Sequence, residues 1–191
     1  MELFMSLKKL ASAMAICMLL VFSACMLGGC GKSAESIIKD DITRQLDSVK
    51  KIDGDFASSL ANALTAGNFD VYGIDSTAFV QSYFQGFDYS IGEIKVDGDK
   101  ATAQVTLTCK SYTAFKNAVD SAASSLNNSS EFANLNHDEQ YERIGSLVVG
   151  ALDGAPTAET KPISLSYAKS NDSWKPADNT PQVIAKALLA N

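Results

Sequence analysis

Histidine occurs once in the 191 residues, at His137, and cysteine four times, at Cys17, Cys25, Cys30 and Cys109. A zinc site draws on several Cys, His or carboxylate ligands, and one histidine with one cysteine in the body of the chain falls short of that. A histidine-based hydrolase sets its imidazole beside a nucleophile, and no motif places a serine or cysteine next to His137. His137 falls instead at the start of an expected helix, where the dipole disfavours positive charge and an exposed neutral imidazole is the plain reading. No catalytic residue, metal or cofactor is therefore expected. Gly145 and Gly150 have the glycine spacing of a phosphate loop but lack its Lys-Ser/Thr, so packing is the preferred role. Asp97-Gly98-Asp99 lacks the alternating oxygen ligands and distant Glu of an EF-hand, and reads as a hairpin tip. No repeat of solenoid length is present, and no low-complexity tract beyond the short stretch 31–33. Positive charge is scarce as well: 16 Lys and Arg stand against 22 Asp and Glu, a net charge of −6. That balance argues against nucleic acid and against a polybasic hold on anionic lipid, and acidic side chains keep such a domain soluble.

What the chain does have is an uncharged run from 10 to 29, preceded by Lys8 and Lys9. The run is long enough to cross a bilayer, so a retained membrane helix is one reading. A secretory leader has the same order of charge and small residues at its end. Here the end is Leu27-Gly28-Gly29-Cys30, an aliphatic residue and two very small ones before a cysteine. This stretch resembles the lipobox of bacterial lipoproteins, which implies cleavage before Cys30 and a diacylglycerol on its sulfur. Cys25 follows Phe22-Ser23-Ala24, with phenylalanine where an aliphatic residue is usual, and is the lesser candidate. Both readings put the residues beyond Cys30 outside the cytoplasm. The expected organisation is a leader over 1–29, a lipidated cysteine and tether over 30–33, and one domain over 34–191. Losing Lys8, Lys9 and Glu2 with the leader takes the net charge from −6 to −7. With Cys30 acylated, Cys109 has no partner for an internal disulfide, although the compartment would allow one.

Within the body, Ile38, Ile42, Leu46 and Val49 recur at helical spacing and predict a helix over 34–51. Asp53 or Asp55 can cap a second helix carrying Phe56, Leu60 and Leu64, which Gly67 ends. Asp75 can cap a third, with Phe79, Val80, Tyr83 and Phe84 inward and Gly86 as its stop. Asp97-Gly98 is a two-residue hairpin signal, setting Val96 opposite Asp99 and Ile94 opposite Ala101. The parity of Phe87, Tyr89 and Ile91 then requires a bulge, with Gly92 and Glu93 facing Thr102. That register pairs Ile91 with Ala103, Tyr89 with Val105 and Phe87 with Leu107 on an apolar face. Thr102, Gln104, Thr106 and Thr108 form the polar one, and Cys109 points inward as an inert thiol. A fourth helix starts at Ser111, with Phe115, Val119, Ala122 and Leu126 inward, and 127–136 reads as a loop. Asn136 to Glu139 is a capping-box pattern for a fifth helix bearing Tyr141, Ile144, Val148 and Leu152. Ile163, Leu165 and Tyr167 alternate in a third strand, 170–173 turns the chain into a short fourth at Trp174, and Pro181 opens a last helix after Asn179 and Thr180 as caps. The expected class is α+β, with helices on one face of a bent antiparallel sheet of about four strands.

This layout resembles a broad group of uncharacterised surface lipoproteins, common in Gram-positive bacteria. The residues that carry the likeness are Ile94 to Thr102, then Thr160 to Tyr167, Trp174-Lys175 and the closing stretch from Ala185 to Asn191. The resemblance implies a cystatin-like or nuclear transport factor 2-like body in which a curved sheet wraps a helix. The helical pair between the second and third strands departs from the compact transport-factor pattern, and the group implies no catalytic residues. Tyr83, Phe87, Tyr89, Tyr167 and Trp174, with Phe84, lie on or beside the sheet; they read as core first and as the lining of a helix–sheet pocket second.

The function expected from these readings is a membrane-anchored extracytoplasmic lipoprotein, held by diacylglycerol at Cys30 on the outer face of the cell membrane. Its body is expected to be a monomeric, non-catalytic module binding a small apolar ligand or an envelope protein, and not an enzyme. The alternative is an envelope-associated hydrolase, or an accessory subunit of a surface enzyme or transporter.

Overall fold

In the computed structural model, residues 32–52 and 69–191 are described. The expected leader, Cys30 and the expected second helix at 53–67 lie outside them. Among the described residues, no helix is long and apolar enough to cross a membrane.

Helix α1 (Ala34–Lys51) begins at Ser33, whose side chain accepts from the Ser36 N–H. It buries Ile38, Ile42, Leu46 and Val49 completely. A 3₁₀ turn (Asp70–Tyr72) leads into α2 (Ser76–Tyr83), capped as expected by the Asp75 carboxylate, which accepts from Ala78 N at 2.9 Å. The hairpin of β1 (Asp88–Asp97) and β2 (Lys100–Lys110) follows. Helices α3 (Tyr112–Asn127), α4 (Ser130–Ala133) and α5 (His137–Asp153) separate it from β3 (Thr157–Glu159), β4 (Ile163–Ser170) and β5 (Ser173–Pro176). Helix α6 (Thr180–Leu188) closes the order. The result is an α+β structure with an open antiparallel sheet of five strands.

The hairpin corrects the expected register by two residues. Val96 faces Ala101 and Asp97 faces Lys100, so the turn is Gly98-Asp99 rather than Asp97-Gly98. A type I′ turn at Asp97-Gly98 needs positive φ at both positions; Gly98 in the first central position needs it only once, and takes φ +57°. The bulge stays at Gly92 and Glu93, now opposite Gln104, and Ile91 meets Val105 while Tyr89 meets Leu107. Phe87 precedes the strand, its N–H donating to Phe84 O at 2.9 Å. Because the slip is even, every side chain keeps its face. Ala101, Ala103, Val105, Leu107 and Cys109 are buried, and Thr102, Gln104, Thr106 and Thr108 are not. The β4–β5 turn at Asn171-Asp172 has φ +49° and +59°, a two-residue loop with both central residues left-handed.

Strand β2 is paired along both edges, by β1 on one side and by β3 and β4 in succession on the other. The fifth strand, β3, is an addition to the expected four. It is too short and too exposed to show periodicity, and its partner on β2 is what orders it. Between β3 and β4 the buried Thr160 donates its N–H to Leu107 O at 2.8 Å, and its hydroxyl accepts from Leu107 N at 3.1 Å. One side chain thus continues a ladder that Pro162, lacking an N–H, cannot.

Part of the expected loop at 127–136 forms α4, a single turn started by the Ser129 hydroxyl accepting from Phe132 N. The capping box of α5 forms as expected: Glu139 N donates to Asn136 Oδ1 at 3.0 Å and Asn136 N to Glu139 Oε2 at 2.9 Å. The end of α5 is held by Lys110, whose buried ammonium donates to Leu152 O at 2.8 Å and Asp153 O at 3.2 Å, a cation at the negative end of a helix dipole. At α6 the N-cap is Asn179, and no side-chain cap bond forms. The Asn191 side chain and main-chain oxygen hold the start of α3: Tyr112 N donates to Asn191 Oδ1, and Thr113 N and the Ser111 hydroxyl donate to Asn191 O, each at 3.0 Å.

Gly145 is a packing glycine. A Cβ there would lie 1.8 Å from Tyr72 O, whereas one at Gly150 would meet nothing within 4 Å. Gly145→Ala is therefore expected to destabilise the fold by about 1–3 kcal/mol or more through displacement of the 3₁₀ turn. Gly150→Ala is expected to stabilise it by about 0.5–1 kcal/mol through helix propensity alone. Urea unfolding of the two variants checks both signs.

Candidate functional site

The five aromatic residues expected beside the sheet come together in the interior. Tyr83, Phe87, Tyr167 and Trp174 are buried and Tyr89 is half-buried. Tyr83 meets Phe84 edge-on with centroids 5.2 Å apart, and Phe84 meets Phe87 at 5.9 Å. Their phenols are already committed to internal acceptors. Tyr83 Oη donates to Leu188 O at 3.1 Å, joining α2 to α6. Tyr89 Oη donates to Asp47 Oδ1 at 2.7 Å, joining β1 to α1.

Tyr167 has the most elaborate surroundings. Its hydroxyl donates to Asp41 Oδ2 at 3.0 Å, and the same oxygen accepts from Gln45 Nε2 at 2.6 Å. Arg44 donates to Asp41 Oδ1 from the helix surface. Asp41 and Gln45 are only 5% and 7% exposed. They belong to the buried stripe of α1, in which positions 38, 41, 42, 45, 46 and 49 share one face. Polar residues inside an apolar stripe at helical spacing are the signal that would have found them. Gln45 Oε1 is one of two buried side-chain polar atoms among the described residues with no hydrogen-bond partner; the other is Thr180 Oγ1.

Cys109 is fully buried, and burial pushes its thiol up to about 12 despite a donor at 3.1 Å from Asn191 Nδ2. The thiolate needed for nucleophilic or metal chemistry is thus suppressed at neutral pH. His137 is exposed in the first turn of α5, with its ring 6.3 Å from that of Tyr141. Among the described residues no group of three or more His, Cys, Asp or Glu stands ready for a metal ion.

A concave surface lies elsewhere, between the second half of α3 and the middle of α5. It is a groove of about 470 Å³ lined by Ala122, Ser125, Leu126, Arg143, Ser146 and Leu147. Ala122 and Leu126, expected in the core, are only half-buried and line this groove instead. The chemistry available is an apolar base, two hydroxyls and one guanidinium. That combination can orient a ligand, and it contains neither a nucleophile–base pair nor a titrating acid.

Two outcomes follow from the buried groups. Tyr89 is raised to about 12, first by burial and then by its bond to Asp47; Tyr167 is raised too, by burial and then by the Asp41 charge. A phenol whose folded value exceeds its unfolded value of about 10 supports the fold fully below pH 10 and loses that support as pH rises toward and past 12. Alkaline unfolding, followed by tyrosinate absorbance and circular dichroism together, should therefore begin above pH 10. Tyr167→Phe should lower stability by about 1–2 kcal/mol, because Asp41 keeps its Gln45 and Arg44 donors. Comparing urea midpoints at neutral pH measures that loss.

Comparison of the chain with protein-family models, with curated proteins and with solved structures finds no match in any of the three.

Proposed function

We propose that the chain is a bacterial lipoprotein of the extracytoplasmic membrane face, anchored by diacylglycerol at Cys30, whose body is a monomeric, non-catalytic binding module. The observation that carries this reading is Leu27-Gly28-Gly29-Cys30 at the end of the uncharged run that follows Lys8 and Lys9. Small residues suit a peptidase cleft, and the thiol is the side chain there that can form the thioether. Each buried CH₂ of an acyl chain contributes about 0.8 kcal/mol, so two or three chains hold a protein to lipid almost permanently.

The start of α1 at Ala34 bears on how such an anchor would work. Three residues separate it from Cys30, a reach of about 14 Å even when fully extended. The body would then sit against the headgroups rather than on a stalk, and it would meet ligands that arrive at the membrane surface. The bent hairpin with α1 across its apolar face supports a cystatin-like or nuclear transport factor 2-like arrangement. The insertion of α3, α4 and α5 between β2 and β3 is where the chain departs from it.

Feeding an alkynyl fatty acid to cells that express the chain tests the anchor. The wild-type chain is expected to take up label and Cys30→Ala to take up none, with mass spectrometry placing the modification on a new N-terminal cysteine. Label that persists in Cys30→Ala, or an intact leader with an unmodified sulfur at Cys30, would overturn the assignment.

A further inference from the structure

We propose that the groove between α3 and α5 binds the free C-terminal carboxylate of a short apolar peptide, with Arg143 as its anion-binding group. The proposal rests on the reading of the body as a binding module and supplies the ligand chemistry that reading lacks.

Arg143 is one of two arginines in the chain. Arg44 is held by Asp41, whereas no carboxylate among the described residues lies within ion-pair distance of Arg143. In a chain of net charge −6, an unpaired guanidinium at a concave surface attracts an anion without first surrendering an internal partner. Its planar fork presents two parallel N–H groups, which matches a carboxylate in bidentate fashion.

The rest of the groove selects among carboxylates. Ala122, Leu126 and Leu147 supply an apolar floor. Ser125 and Ser146 flank it. The Ser125 hydroxyl donates to Ser121 O at 3.1 Å, which leaves its oxygen as an acceptor. Ser146 has no protein partner among the described residues. A purely hydrocarbon tail would cover these hydroxyls without hydrogen-bonding them, at a cost for each. Peptide N–H and C=O groups satisfy them, so a peptide fits where a fatty acid does not. Gly150, one turn beyond Ser146 on the same face of α5, is exposed, and a Cβ there would meet nothing within 4 Å, so a larger side chain can be placed beside the groove without displacing its lining. The volume of about 470 Å³ suits two or three residues rather than a folded partner.

The test uses the full chain, ¹⁵N-labelled in detergent micelles, with acetyl-Ala-Leu as the probe and acetyl-Ala-Leu-amide as its uncharged control. The acid is expected to give saturable shifts of the Arg143 Nε–Hε signal and of amides at 122–126 and 143–150. The amide should bind about tenfold more weakly, the loss expected when a charge-assisted bond is removed. Arg143→Gln should weaken the acid by a similar factor. Gly150→Leu, which sets a bulky side chain beside the groove at an exposed helix position, should weaken the acid as well, with the remaining spectrum unchanged. Absence of saturable shifts, equal binding of acid and amide, or full affinity in both variants would overturn the proposal. None of these results depends on Cys30, so failure here and failure of the lipid anchor are separable.

Discussion

Strand β2 is the constraint on which the described fold depends. It is hydrogen-bonded along both edges and carries Ala101, Ala103, Val105, Leu107 and Cys109 on a single face. That face must be covered, and α1 and α6 cover it from the same side of the sheet. Most of the stability of a helix in a folded protein comes from packing its apolar face, and for the 18-residue α1 this contact supplies it. Its four fully buried aliphatic side chains contribute about 6–12 kcal/mol as an upper estimate.

Polar groups inside this core act as fasteners between elements. Tyr83 reaches α6, Tyr89 and Tyr167 reach α1, Lys110 reaches the end of α5, and Thr160 bridges the break between β3 and β4. Each hydrogen bond contributes about 1 kcal/mol net, far less than the apolar burial around it. Their larger effect is on uniqueness, since a buried carboxylate such as that of Asp41 is tolerated only where its three donors converge. An α1 shifted by one turn would still bury leucine and isoleucine, and Asp41 would keep Arg44 and Gln45, which move with it, but it would lose Tyr167. Hence the Tyr167–Asp41 bond favours one helix register among those that hydrophobic contact alone leaves loose.

Much of this organisation was legible in the sequence because it depends on local chemistry. The spacing of Ile38, Ile42, Leu46 and Val49, the caps at Asp75, Ser111 and Asn136, and the Gly92–Glu93 bulge all follow from short-range periodicity and turn preference. The hairpin register did not, since Asp97-Gly98 and Gly98-Asp99 are both competent turns and parity cannot separate them. Strand β3 and helix α4 were hidden because three or four residues carry no period; tertiary partners order the strand and a single serine cap starts the helix. The groove was hidden for a different reason. Ala122 and Leu126 have the pattern of core residues, and only the way α3 and α5 meet, a long-range property, leaves them at a surface.

The bulge in β1 has a consequence for how copies of the molecule behave side by side. Among the described residues β1 pairs on one side only, leaving a ten-residue strand with an open edge. A flat edge of that length is a template on which another chain can extend the sheet. Gly92 and Glu93 twist it out of plane at its middle, and Asp88, Glu93, Lys95 and Asp97 place charge along it. A second molecule approaching edge to edge meets both a kink and a row of charged side chains that pairing would have to strip of water, so crowded copies of the molecule would stay separate bodies instead of fusing into a continuous sheet.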